Sequence, residues 1–216
     1  MPLALEKVSE AIRCFIGDGL AACVSALENG IHGQRRGDIE KFLITKNIGS
    51  DLFESALYIK RHFGQIDEVI HATGILLALP KILLPDEEIS GLSLAAGNTG
   101  HQFDLETTHR VAEFTFISWR GGPEVIRQNK IFKDFFFLAE EPTSKRKELW
   151  VLGTEMPLKF FRSRRSVKAI LKNNAKLSRR FEQIYPQNPF ETVVEYYKKK
   201  SESVSICDLR PILPHF

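Results

Sequence analysis

The sequence predicts an α/β (α+β) protein: a mixed sheet core flanked by helices, with a helical N-terminal layer and a basic helical C-terminal part. Three observations lead there. Apolar residues recur at helical spacing through the first 85 residues and again in the C-terminal third. Between them, residues 89–152 hold short runs with strand alternation, divided by turn signals. One helical stretch interrupts those runs, so the order is two or three antiparallel strands, a crossover helix and another strand. At 216 residues the chain reads as a single domain, with 1–85 as the helical layer, 86–155 as the α/β core and 156–216 as the basic helical part and tail. Hydrophobic residues make up 43% and aromatics 10%, enough for a packed core rather than a disordered chain.

In chain order, Leu5, Val8, Ile12, Phe15 and Ile16 give a first apolar stripe, ended by Gly17 and Gly19. A small apolar segment from Leu20 to Leu27 ends at Asn29-Gly30, and Asp38 is placed to cap the next helix, IEKFLITKN. Two more helices run Asp51 to His62 and Gln65 to Leu79, the second stopping before Pro80. Ile89 to Ala95 reads as a strand. Two further strands form a hairpin turning near Thr108-His109-Arg110. Gly121-Gly122-Pro123 starts a helix from about Glu124 to Glu140, with Val125, Ile126, Phe132, Phe135, Phe136 and Ala139 on its buried face. Glu148 to Leu152 is the next strand. Val167, Ile170, Leu171, Leu177, Phe181 and Ile184 return to a helical stripe, and Asn188, Pro189 and Glu191 supply cap, first-turn proline and capping-box acid for the last helix. The tail after Ser201 docks on the body without an assigned element.

Net charge is only +3, but its distribution is uneven. Lys159 to Lys200 holds twelve bases against three acids, more than a merely solvated helix face requires. Such a stripe suits a phosphate backbone through counterion release. Arg164, Arg165, Lys168 and Lys172 are its candidate contacts. The three cysteines lack metal-ligand spacing, and their odd number fits a reducing cytoplasm. The most apolar run, Val69 to Leu84, is broken by His71, Pro80 and Lys81, and is too short for a membrane span.

The chemistry concentrates in HQFDLETTHRVAEFTFISW, residues 101–119. Alternation puts Asp104 and Glu106 on one face, with Phe103, Leu105 and Thr107 on the other. Across the turn, Glu113, Thr115 and Ile117 share a face, opposite Ala112, Phe114 and Phe116. One acid on each of two paired strands is a pair that can hold a divalent metal. The bland alternative is that Asp104 and Glu113 are solvated strand acids or partners of Arg110 and Arg120.

Asp104 and Glu113, followed by the crossover helix and the next strand, resemble the PD-(D/E)XK nuclease superfamily over roughly residues 89–152. The resemblance implies a restriction endonuclease-like core that binds Mg²⁺ (or Mn²⁺) through these two acids and hydrolyses DNA phosphodiesters, in defence or repair. A helical glutamate often completes such a site; Glu40 is the candidate and Glu54 its rival. The motif's lysine falls at Thr115, which carries no charge to stabilise a developing negative one. Three readings follow. The charge has moved to the next helix, onto Lys133 in preference to Lys130; the domain binds nucleic acid or protein without cutting; or the threonine is a disabling substitution. Gln128, Arg120 and Trp119 are placed to contact a phosphate ester, and His101 and His109 lie near the acids. Related enzymes often act as homodimers. A second alternative is a helix-rich interaction protein whose strand acids are incidental. No phosphate loop, GxGxxG, HExxH or HNH-like spacing is present.

Overall fold

The computed structural model describes residues 20–31, 36–46, 48–62, 66–94, 102–116, 119 and 124–213. Where the sequence reads as one domain, the chain divides into two compact units, Met1–Ile66 and Asp67–Phe216. In the first unit, helices α1 (Leu20–Ile31), α2 (Arg36–Thr45) and α3 (Ser50–His62) follow the expected segments. Asp38 lies inside the first turn of α2 rather than before it, where its charge complements the helix N-terminus. The predicted stripe from Leu5 to Ile16 lies outside the described residues.

The second unit is built on a five-stranded mixed sheet, so the expected α/β (α+β) class holds. Its strands are β1 (Ile89–Leu92), β2 (Leu105–Thr107), β3 (Arg110–Thr115), β4 (Arg146–Val151) and β5 (Ser205–Asp208), in that spatial order. The first three pair antiparallel, while β3–β4 and β4–β5 are parallel. A parallel pair needs a crossover, and α5 (Val125–Ala139) supplies the one between β3 and β4.

Alternation along β3 splits the core. Ala112, Phe114 and Phe116 face α4 (Ile66–Ile82) and pack with its Ile75, Ala78, Leu79 and Ile82. Val111 faces α5 and joins Phe132, Phe135 and Phe136, each fully buried. Behind α5 lie α6 (Glu155–Phe161), α7 (Val167–Leu171), α8 (Ala175–Ile184) and α9 (Val193–Lys200), whose apolar faces complete this larger core.

Several expectations need correction. Helix α4 does not stop before Pro80 but continues to Ile82. Pro80 removes one amide donor near the helix end, while burial of Leu79 and Ile82 on the sheet holds the last turn, and Leu83 N–H still donates to Leu79 at 3.0 Å. Val125 and Ile126 are not buried; at 42% and 84% exposure they open α5 toward solvent. The stripe from Val167 to Ile184 breaks in two because Asn174 caps α8, accepting from Leu177 N–H at 3.0 Å. The last helix is capped by Thr192 with Glu195, not by Asn188 with Glu191. The tail supplies the edge strand β5. Among the described residues, no helix is long and apolar enough to cross a membrane.

Candidate functional site

The antiparallel register pairs Leu105 with Ala112, so the preceding Asp104 comes beside Glu113. Asp104 lies in a bend just before β2 rather than on the strand, which puts Phe103 and Leu105 into different cores instead of on one face. The bend frees its carboxylate. Oδ2 accepts Phe114 N–H at 2.8 Å, Oδ1 lies 3.4 Å from His71 Nε2 on α4, and the Glu113 carboxyl is in hydrogen-bond contact. Burial works against the Asp104 charge, but His71 and the Phe114 amide outweigh it and hold the group below the usual carboxylate range.

Glu113 behaves in the opposite way. Burial, then the charges of Asp134 and Asp104, push its carboxyl well above the ordinary value, and Lys130 offsets only part of this. Asp134, on α5, is 1% exposed and is not among the candidates drawn from the sequence. It holds Lys130 Nζ at 2.7 Å and lies 3.2 Å from Lys133 Nζ. Burial disfavours the Lys130 ammonium, yet Asp134, Glu113 and Asp104 hold its proton more tightly than usual.

A further contact falls at Thr115, the position where the resemblance places a lysine. Lys130 Nζ donates to Thr115 Oγ1 at 3.1 Å, so a positive charge reaches the last residue of β3 from the neighbouring helix. Lys130 takes this place rather than Lys133. One α-helical turn separates Lys130 from Asp134 and from Arg127, so all three share the face toward the sheet ends. Phe132 and Phe135 point into the larger core and leave Lys133 turned aside, with Asp134 as its ion-pair partner among the described residues. Thr115, Trp119, Arg127, Lys130, Val151 and Gly153 line a small pocket at the C-terminal ends of β3 and β4.

The other predicted residues fall in several places. Glu40, on α2 of the first unit, is exposed and ion-paired to Arg36 at 3.1 Å; Glu54, on α3, is also exposed. Gln128 and Asn129 accept hydrogen bonds from the half-buried Arg165, the second at 3.2 Å, which ties two separate sequence candidates together. Arg164, Lys168 and Lys172 are exposed. Arg120 and His101 lie outside the described residues. His109 sits at the β2–β3 turn near Asp86, at the far end of the hairpin from Asp104 and Glu113. Trp119 is half-buried against Phe160.

Among the described residues, no group of three or more His, Cys, Asp and Glu side chains stands ready to hold a metal ion. The donor set nevertheless suits a hard cation. Mg²⁺ is commonly bound through one or two carboxylates, with water and substrate phosphate completing its shell. Asp104 and Glu113 provide such a pair, and the raised Glu113 marks a place where negative charge lacks compensation. Comparison with protein-family models, curated proteins and solved structures finds no match.

Proposed function

We propose that this chain is a metal-dependent nuclease that hydrolyses DNA phosphodiester bonds, with a restriction endonuclease-like core. The observation that carries the reading is the Lys130–Thr115 contact, beside two carboxylates brought together by a hairpin. The element order from α4 through β4 supports it, with three antiparallel strands, a crossover helix and a parallel fourth strand.

Asp104 and Glu113 would hold Mg²⁺ or Mn²⁺, which when bound acidifies a water and neutralises charge on the phosphate. The chain's own groups do the rest. The Phe114 amide fixes the Asp104 carboxylate, Asp134 anchors Lys130, and Lys130 presents its ammonium where charge develops on the phosphate. Arg127, which lines the pocket and pairs with Glu124, and the exposed Arg164, Lys168 and Lys172 offer cations to the rest of the backbone. Cutting both strands would take two copies, and the odd cysteine count suits a cytoplasmic setting.

The test is Mg²⁺ and Mn²⁺ binding by calorimetry, followed by plasmid nicking. Asp104→Asn/Glu113→Gln should abolish both. Metal binding without cleavage of DNA or RNA would replace the nuclease with a relative that binds and does not cut. Metal binding unchanged in the double variant would sink the reading altogether.

A further inference from the structure

We propose that Ile126 is a wedge that enters the base stack of duplex DNA beside the bond to be cut, so that the preferred substrate is a duplex weakened there by a mismatch. This rests on the nuclease reading of the Lys130 site and specifies the DNA it takes.

Helix α5 carries one line of side chains from the core to solvent. Ile126, Lys130 and Asp134 follow one another at intervals of four, so they share one face of the helix. Asp134, the innermost, is 1% exposed and holds the Lys130 ammonium. Lys130 reaches Thr115 at the end of β3. Ile126 stands one turn farther out, about 6 Å along the helix axis. It is 84% exposed, and its neighbour Val125 is half-buried. A phosphate held on Lys130 therefore brings the adjoining nucleotide against Ile126. A branched alkyl group offers nothing to a phosphate oxygen. What it can cover is the flat face of a base, and isoleucine is among the residues that proteins insert between base steps.

The charge around this tip suits the backbone on either side of such a step. Arg165 donates to Gln128 and Asn129, which ties the basic segment to the first turns of α5. Those acceptors are amide oxygens, so they fix the guanidinium without cancelling its charge. Arg110 and Arg210, by contrast, are held by carboxylates. Glu124, the acid that precedes the helix, is paired with Arg127. Arg164 and Lys168, beside Arg165 in the chain, are exposed. An apolar tip next to uncompensated cations is complementary to bases lying between phosphates. Opening a stacked step costs energy, and least where the bases are mismatched, so a wedge selects such places.

The experiment is binding of the full chain to a duplex with 2-aminopurine beside one central mismatch, and to its matched counterpart. Chelator and low salt keep the DNA bound and uncut. Anisotropy reads binding and 2-aminopurine fluorescence reads unstacking, with Ile126→Ser and Ile126→Leu as variants. The side chain is exposed, so both variants should keep the urea midpoint of the unaltered chain. Expected are a rise in fluorescence on binding and an affinity for the mismatched duplex at least about tenfold above the matched one. Ile126→Ser should lose both the rise and the preference, while Ile126→Leu keeps them. DNA bound with no rise, or with the same rise in Ile126→Ser, overturns the wedge and leaves the metal site and cleavage standing. A rise that depends on Ile126 in a chain that binds no metal and cuts nothing upholds the wedge and sinks the nuclease reading. No binding of either duplex overturns the wedge.

Discussion

Strand β3 buries charge at both ends, and only one end balances it. At its N-terminal end, Arg110 is 2% exposed and donates to Glu87 through Nε and Nη2 at 2.6 Å and to Glu148 at 2.9 Å. Thr107 and Trp150 donate to the same two acids. Burial works against the Glu87 charge, but Arg110 outweighs it, with help from Leu84 N–H and Thr107, and holds the carboxyl down at about 2. At the C-terminal end, Asp104, Glu113 and Asp134 face Lys130, Lys133 and His71, and Glu113 is pushed up instead. A closed, satisfied cluster holds strands in register. At the other end burial and two neighbouring acids outweigh Lys130, so the Glu113 charge stays disfavoured.

The largest effect should come from breaking the balanced end. Arg110→Met leaves Glu87 and Glu148 buried without their cation and should lower stability by about 3–5 kcal/mol in urea unfolding. Glu113→Gln should be neutral or stabilising in metal-free protein at neutral pH, because it removes a charge the fold disfavours. Equal destabilisation by both would erase the distinction between the two ends.

Lys130 separates the candidate site from its surroundings. Lys130→Ala should reduce cleavage by about 10²–10³-fold, the usual loss when one donor to a developing charge is removed. Lys133→Ala should matter much less, since among the described residues Lys133 reaches only Asp134. Adding Thr115→Lys to Lys130→Ala should recover part of the rate by returning the charge to the strand. Failure of that rescue, with metal binding intact, would count against Lys130 as the displaced lysine.

The two ends should also answer pH with opposite signs. Glu87 has a folded value near 2 against an ordinary 4.5, so its contribution is present above 4.5 and is lost as pH falls toward 2. That difference corresponds to about 3 kcal/mol. Glu113 is raised, so its contribution is fully present below 4.5 and is lost as pH rises through its folded value. Urea midpoints of chelator-treated protein across pH should show the acid limb flattened by Glu87→Gln and the alkaline-side decline flattened by Glu113→Gln. Interchanged effects would mean the two ends have been assigned the wrong way round.

What could be read from the sequence follows the range of each interaction. The hairpin, the crossover helix and the pairing of Asp104 with Glu113 are local, and alternation predicted the faces of Ala112, Phe114 and Phe116. Lys130 and Lys133 were both visible on the crossover helix, but the choice depended on which face of α5 the buried phenylalanines claim. Asp134 could have been noticed as the acid four residues after Lys130, a spacing that pairs charges on a helix. His71 and strand β5 could not, because one joins Asp104 across the core and the other pairs with β4 from more than 50 residues away.

The smallest predicted effect tests whether the unbalanced end is held from behind. Gly74→Ala would place a methyl 2.3 Å from Phe116 Cε1 and 2.6 Å from Cζ, so the ring must swing. That ring stacks on Phe114 at 6.1 Å and meets His71 edge-on, so the displacement reaches both the core and the imidazole. Stability should fall by about 1–3 kcal/mol, the usual consequence of overpacking. Arg110 and its partners lie at the other end of β3, so the acid limb of the pH profile should keep its shape. A variant that keeps its stability would show that the Phe116 ring yields without cost to the core, and that Gly74 is not needed for its packing.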